Sequence, residues 1–226
     1  TIEQGDFEAA SKDFTITDVS LTLTGTGNLV SYTNTTDGKK VPTLSTIKFS
    51  TADSELVTTG EGAQIGKVGN DVAKGSLYVK SGDLTANGDV TVKSLEVESG
   101  AKLSIADDKD GKGYAVKTGT ATGEATAIIS GELAAANSDV TFGSTATAAN
   151  NADGTYSFDN VNKVTGKLAA KTLTLAGDML VNQGGTVEAG KLDANGKTVF
   201  VGDSASAGSL SVGELTAGSI YADPTW

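Results

Sequence analysis

Any chemistry in this 226-residue chain has to be done without histidine, cysteine or arginine, because the sequence contains none of the three. Ser-His-Asp and Cys-His mechanisms are closed to it, and so are imidazole and thiolate metal sites. Carboxylates, lysines and hydroxyls remain. The sharpest acid-base pair is Glu96 with Glu98, which flank Val97 and point outward on one strand face. Two strand steps set their side-chain origins about 6.5 to 7 Å apart. That overlaps the range of roughly 6.5 to 9.5 Å used by inverting glycosidases. Alternating exposed carboxylates with Lys93 nearby also describe an ordinary solvated strand face, and we expect no catalytic residue here.

A cation is the next possibility, at Asp107, Asp108, Asp110 and Gly111 in DDKDGKG. With Gly111 in the glycine position of an EF-hand loop, Asp108 and Asp110 fall on ligand positions. Ala106 and Lys117 then occupy the first and last positions, so both end ligands are missing. A charged Asp-Gly turn is the expectation, with no metal and no cofactor. Thr-x-Thr recurs at 15–17, 22–24, 118–122, 145–147 and 172–174, a motif that ice-binding solenoids repeat once per rung. Here its spacing is irregular, which fits threonine used as a β-former. Phe14, Phe49, Tyr78, Phe142, Phe158, Phe200 and Tyr221 fall mostly inside strand patterns, so we expect core packing rather than a stacking platform, and no role for Trp226.

The elements that must carry these side chains are short strands joined by tight corners. Between Gly82 and Ile105, Leu84, Val90, Val92, Leu95, Val97, Leu103 and Ile105 alternate with polar residues, the period of half-buried strands. Asn87-Gly88 and Ser99-Gly100 supply the corners between them. The phrase Gly-polar-Leu-polar-Ala recurs at 82–86, 131–135, 166–170 and 190–194, with relatives at Gly208 and Gly213. Apolar anchors lie 18 or 19 residues apart: Leu77–Leu95, Leu84–Leu103, Leu168–Val187, Leu173–Leu192, Leu192–Leu210 and Val201–Ile220. A recurrence of that length, divided into three strands and three corners, is one rung of a parallel β-helix. Roughly 10 to 12 rungs would build a rod on the order of 50 Å long.

We therefore expect one elongated all-β solenoid over 1–226, irregular over 1–75 and regular over 76–226. Polar, turn-rich stretches at 106–127 and 144–163 break the period and are expected to leave the rod as loops or hairpins, with Asp110-Gly111 and Asp153-Gly154 at their tips. Asp37-Gly38-Lys39-Lys40 reads as the turn of a further hairpin. Only 5% of residues are aromatic, so small and β-branched side chains must fill a narrow interior.

Lysine supplies all 17 basic residues against 28 carboxylates, a formal charge of -11. Nucleic acid and anionic membrane surfaces should repel such a chain. No apolar run approaches the roughly 18 residues of a membrane-spanning helix, so membrane insertion is not expected. The stretches GDLTANGDVTVKSLEVESGAKLSI and LDANGKTVFVGDSASAGSLSVGELTAGSIYA resemble the passenger domains of Gram-negative autotransporters and related large surface adhesins. That resemblance implies a right-handed parallel β-helix, part of a larger secreted protein, displayed outside the outer membrane. It implies a non-catalytic role in adhesion, self-association or as a display stalk, with host-cell or bacterial surface molecules, glycans among them, as partners. The other reading is a carbohydrate-active enzyme on the same scaffold. Lyases built on such helices generally pair an Arg or Lys base with calcium-binding Asp residues, so here only the Lys version is open.

Overall fold

The corner glycines decide how closely the chain can stack on itself. A Cβ placed on Gly166 would lie 2.0 Å from the carbonyl oxygen of Gly131, and one on Gly131 would lie 2.2 Å from that of Ala101. No other residue fits at that separation. The same carbonyls carry the ladder through the corner, Glu132 N donating to Ala101 O at 2.9 Å and Lys167 N to Gly131 O at 2.7 Å, as do Lys102 N to Gly82 O at 2.9 Å and Thr186 N to Gly166 O at 2.7 Å on the flanking rungs. Each corner therefore sits directly on the one before.

The computed structural model describes residues 6–8, 13–24, 28–34, 36, 39–203 and 206–222. The chain is an all-β parallel solenoid. One parallel sheet of nine strands forms the A face, running from Ser20–Leu23 to Ser219–Tyr221. A second sheet of twelve strands forms the other two faces. In each turn the chain passes from the A face to a B face and then to a C face, as in Ser76–Val79, Asp83–Ala86 and Val90–Val92. Later turns merge the last two into one bent strand, Glu132–Phe142, Lys167–Leu175, Thr186–Asp193 and Ser209–Thr216. Nine rungs at one strand spacing each give a rod of roughly 40 Å.

The core is a set of inward columns in which like stacks on like. Ala63, Leu84, Leu103, Leu133, Leu168, Val187 and Leu210 are successive register partners on the B face. On the C face the column runs Phe14, Ile47, Val68, Val90, Val116, Val140, Leu173, Leu192 and Leu215. Thr58, Val79, Val97, Ile129, Val164 and Val181 line the A side. Burying such columns at about 25 cal/mol per Å2 drives the stacking, and no single rung could do so alone.

Four of the six anchor spacings read from the sequence are register pairs: Leu77–Leu95, Leu84–Leu103, Leu168–Val187 and Leu173–Leu192. The other two are not. Leu210 stacks on Val187 and Leu192 on Leu215, while Ile220 stacks on Val199. Val201 and Ser209 stand farther apart in sequence than Val181 and Thr186, and the last B and C strands slip four residues beyond the earlier period, Val187 to Leu210 being 23 residues where Leu168 to Val187 is 19. Among the described residues the rungs are also fewer than expected, since several carry long corners: Leu103 reaches its partner Leu133 only after 30 residues and Ile129 its partner Val164 after 35. The repeated phrase, moreover, does not mark one face. Leu84, Leu133 and Leu168 belong to the B face, whereas Leu192 of GKLDA and Leu215 belong to the C face.

Within 106–127 the chain leaves the rod twice, because Val116–Thr118 returns as a C-face strand between its two neighbours. Farther on, Ala149–Asn150 and Tyr156–Ser157 form an antiparallel hairpin outside the rod. Asn28–Asn34 and Lys40–Leu44 form another. The turn expected at Asp37-Gly38 lies outside the described residues, as does Trp226.

Candidate surface trough on the A face

Outward positions of the A face are free of the core, and register alone decides which of them meet. One column runs Thr22, Val57, Tyr78, Glu96, Ile128, Lys163, Leu180, Phe200 and Tyr221. Beside it stand Ser20, Glu55, Ser76 and Ser94. Where the columns pass Tyr78, the surface sinks into two adjoining cavities. One of about 560 Å3 is lined by Asp53, Glu55, Ser76, Tyr78, Lys93 and Glu124, among others. The next, about 370 Å3, includes Thr22, Glu55, Tyr78, Lys80, Glu96 and Glu98. Glu55 and Tyr78 belong to both, so the two make one trough crossing the first rungs.

Its walls are held from below. On one side, Ser54 Oγ donates to Ile16 O at 2.9 Å and Thr51 Oγ1 to Asp18 Oδ1 at 2.5 Å, fixing the turn that carries Asp53. On the other, a buried polar network anchors residues 119–126. Thr118 and Thr126 hydroxyls meet at 2.7 Å, Gly143 N donates to Thr118 Oγ1 at 3.0 Å and Ser144 N to Thr126 Oγ1 at 3.1 Å. Ser144 Oγ donates to Glu124 O at 2.6 Å. Asn162 Oδ1 accepts from Thr126 N at 3.1 Å and Ala127 N at 2.9 Å. Such a network fixes one position for the loop because the Thr118, Thr126 and Ser144 hydroxyls and Asn162 Oδ1 each have a partner, although Asn162 Nδ2 is buried without one.

On the trough floor Ser76 Oγ and Ser94 Oγ lie 2.8 Å apart. Among the described residues the side chains of Glu55, Tyr78, Lys93, Glu96 and Glu98 make no hydrogen bond or ion pair. The fold therefore does not use their polar ends. Donors, acceptors and an aromatic ring are thereby presented together.

Glu96 and Glu98, the carboxylates singled out by spacing, both line this trough, and Glu96 stands in register with Tyr78. Lys93, read from the sequence as their neighbour, lines the trough with them, whereas Glu55 and Tyr78 were not part of that pattern. The pairing of Leu77 with Leu95 carries the missing signal, since it places Tyr78 beside Glu96 one step on.

Asp107, Asp108 and Asp110 are engaged in a turn. Asp108 Oδ1 accepts from Asp110 N at 2.8 Å and Lys112 N at 3.0 Å, Asn137 Nδ2 donates to Asp107 Oδ2 at 2.8 Å, and Asp110 pairs with Lys109 at 3.1 Å. Gly111 takes the positive φ of the turn, 73°. Among the described residues no group of three or more Asp or Glu side chains is placed to hold a metal ion. Of the Thr-x-Thr segments, Thr122 meets Thr145 at 3.5 Å between hydroxyls, whereas Thr172 and Thr174 stand between Asp139 and Thr141 on one side and Lys191 and Asp193 on the other.

Aromatic residues divide in a way the strand pattern did not indicate. Phe49 and Phe142 are fully buried in the core. Tyr156, Phe158, Phe200 and Tyr221 instead cluster on the outside of the A face, with Tyr156 and Phe158 each 5.0 Å from Phe200 between ring centres. Phe200 alternates correctly as a strand residue, but its parity points outward, where the hairpin covers it. Val161 and Leu180 complete this second cluster. Asp178 holds the hairpin base by accepting from Ala148 N and Thr198 N, both at 2.9 Å.

Compared with protein-family models, with curated proteins and with solved structures, the chain matches none. The reading of its function therefore stands on the solenoid and the trough.

Proposed function

We propose that this chain is a non-catalytic module of a cell-surface protein, of the autotransporter-passenger or large-adhesin kind, acting outside the cell in adhesion, self-association or display. One observation carries the reading: the inward columns serve the stacking, while the A-face trough gathers polar side chains the fold leaves unpaired. A rigid rod with an open, shallow binding face suits broad, repeated contacts. Many copies at a surface turn weak contacts into strong attachment.

The second reading is a carbohydrate-active enzyme, favoured by Glu96 and Glu98 lying in the same trough as Glu55. Neither Glu96 nor Glu98 is held by a hydrogen bond or ion pair among the described residues, and acid-base catalysis needs its carboxylates positioned. The test is a cell-binding and glycan-array screen beside a hydrolysis and elimination assay on the same polysaccharides. Retention without product supports the adhesive role, and product formation refutes it. Oligomers that dissociate as salt rises would assign self-association.

A further inference from the structure

Building on the adhesive role proposed above, we infer that the A-face trough is a saccharide-binding subsite that takes neutral or amine-bearing sugars and rejects uronate-bearing ones. Its size is the first reason. The larger cavity, about 560 Å3, lies in the range of roughly 300 to 1,000 Å3 typical of small-ligand pockets. Its lining is the second. An apolar ligand would meet the carboxylates of Glu55 and Glu124 and the ammonium of Lys93 with nothing to offer them, at a desolvation cost. Sugar hydroxyls both donate and accept, so they satisfy carboxylate, ammonium and hydroxyl together. The half-buried ring of Tyr78, shared by both cavities, supplies the apolar surface that the C–H face of a pyranose requires.

Charge selects within the class. The trough contains five carboxylates, Asp53, Glu55, Glu96, Glu98 and Glu124, and two lysines, Lys80 and Lys93. A uronate entering it meets like charge in a partly dehydrated space, which costs affinity. An amine meets the opposite. The same balance disfavours nucleic acid and sulfated chains.

The experiment titrates three oligosaccharides of equal length into the full chain: a neutral glucan, a glucosamine oligomer and a galacturonate oligomer. Amide shifts are followed by NMR. The expected result is saturable shifts confined to Glu55, Tyr78, Lys93 and 119–126, with the neutral or the amino sugar and not with the uronate. Tyr78→Ala weakens binding about tenfold or more, Tyr78→Phe keeps most of it, and Glu55→Gln weakens the amino sugar more than the neutral one. Retained uronate, no binding of any of the three, or full binding by a folded Tyr78→Ala protein overturns the assignment. Capture of a lysine-rich peptide in place of all sugars overturns it too. The adhesive role fails separately: cell binding that survives Tyr78→Ala refutes the trough and keeps that role, whereas sugar binding followed by product release keeps the trough and refutes the non-catalytic reading.

Discussion

Replacing Gly166 by alanine tests whether stacking, rather than backbone conformation, makes the corner glycines indispensable. The added Cβ would lie 2.0 Å from Gly131 O and 2.5 Å from Ser130 O, all backbone atoms of the preceding rung. Ordinary carbon contacts need about 3.5 Å or more, so one corner must move by over an ångström. Moving it stretches the bonds of Lys167 N to Gly131 O and Thr186 N to Gly166 O, both 2.7 Å. Overpacking costs about 1–3 kcal/mol and each of the two weakened bonds about 0.5–1.5, a total of about 2–6 kcal/mol. Gly184 is the control. Its φ is +81° and its added Cβ meets nothing within 4 Å, so alanine there costs only the left-handed penalty, about 1–2 kcal/mol. In thermal unfolding these translate to a fall in Tm of about 4–24 °C for Gly166→Ala and about 2–8 °C for Gly184→Ala. Asparagine separates the causes further: it tolerates positive φ, so Gly184→Asn recovers part of the loss and Gly166→Asn recovers none. Circular dichroism during heating and urea titration measures both. A Gly166→Ala protein within 1 kcal/mol of the parent, or less damaged than Gly184→Ala, would refute the stacking argument.

Asn162→Ala removes the acceptor for Thr126 N and Ala127 N, leaving two buried N–H groups at about 1–3 kcal/mol each; amide exchange at 119–127 should quicken more than elsewhere, and a uniform rise would mean the network does not fix the wall. Phe158→Ala should release the outer hairpin while the rod stays folded, at about 1–3 kcal/mol, detected as new proteolytic cleavage between 149 and 157 with unchanged dichroism. The Asp153 carboxyl is held below its ordinary 3.8 by the Thr155 hydroxyl and amide, which favour the ionised form. Its contribution to the hairpin tip is therefore present above that value and lost as pH falls through the lower folded one. The Thr155 amide shift should titrate with a midpoint below 3.8, and a midpoint at or above it would remove the hydrogen bond from the account.

Most of the scaffold was legible because it obeys two local rules. Inward residues alternate with outward ones, and a corner needs glycine, so Leu77 could be paired with Leu95 and Leu84 with Leu103 from spacing alone. The rules are the same on every face, however. That is why GDLTA on the B face and GKLDA on the C face look alike without being equivalent. Corner length has no such rule, and the slip at 202–208 displaced two anchors by it. Glu96 was visible as a carboxylate, but the trough was not. Its far wall depends on Thr126 meeting Asn162, 36 residues later, a contact no local pattern encodes.

Outward positions of a solenoid serve no stacking function, so what they carry is informative. On the A face the outward column becomes strongly apolar at Leu180 and Phe200, and there the chain spends a hairpin to cover it. Leu180 and Phe200 are left only 4% exposed, as folding alone would require of such residues. At Tyr78 the same column presents an aromatic ring again, and the neighbouring excursion, 119–126, stands beside it as a wall rather than lying over it. A loop held by Thr118, Thr126, Ser144 and Asn162 in one place, yet leaving Tyr78 half-exposed among unpaired Glu55, Lys93 and Glu96, is not a cover. Its rigidity lowers the entropy lost when a ligand is held, which is the property a binding edge needs and a capping loop does not.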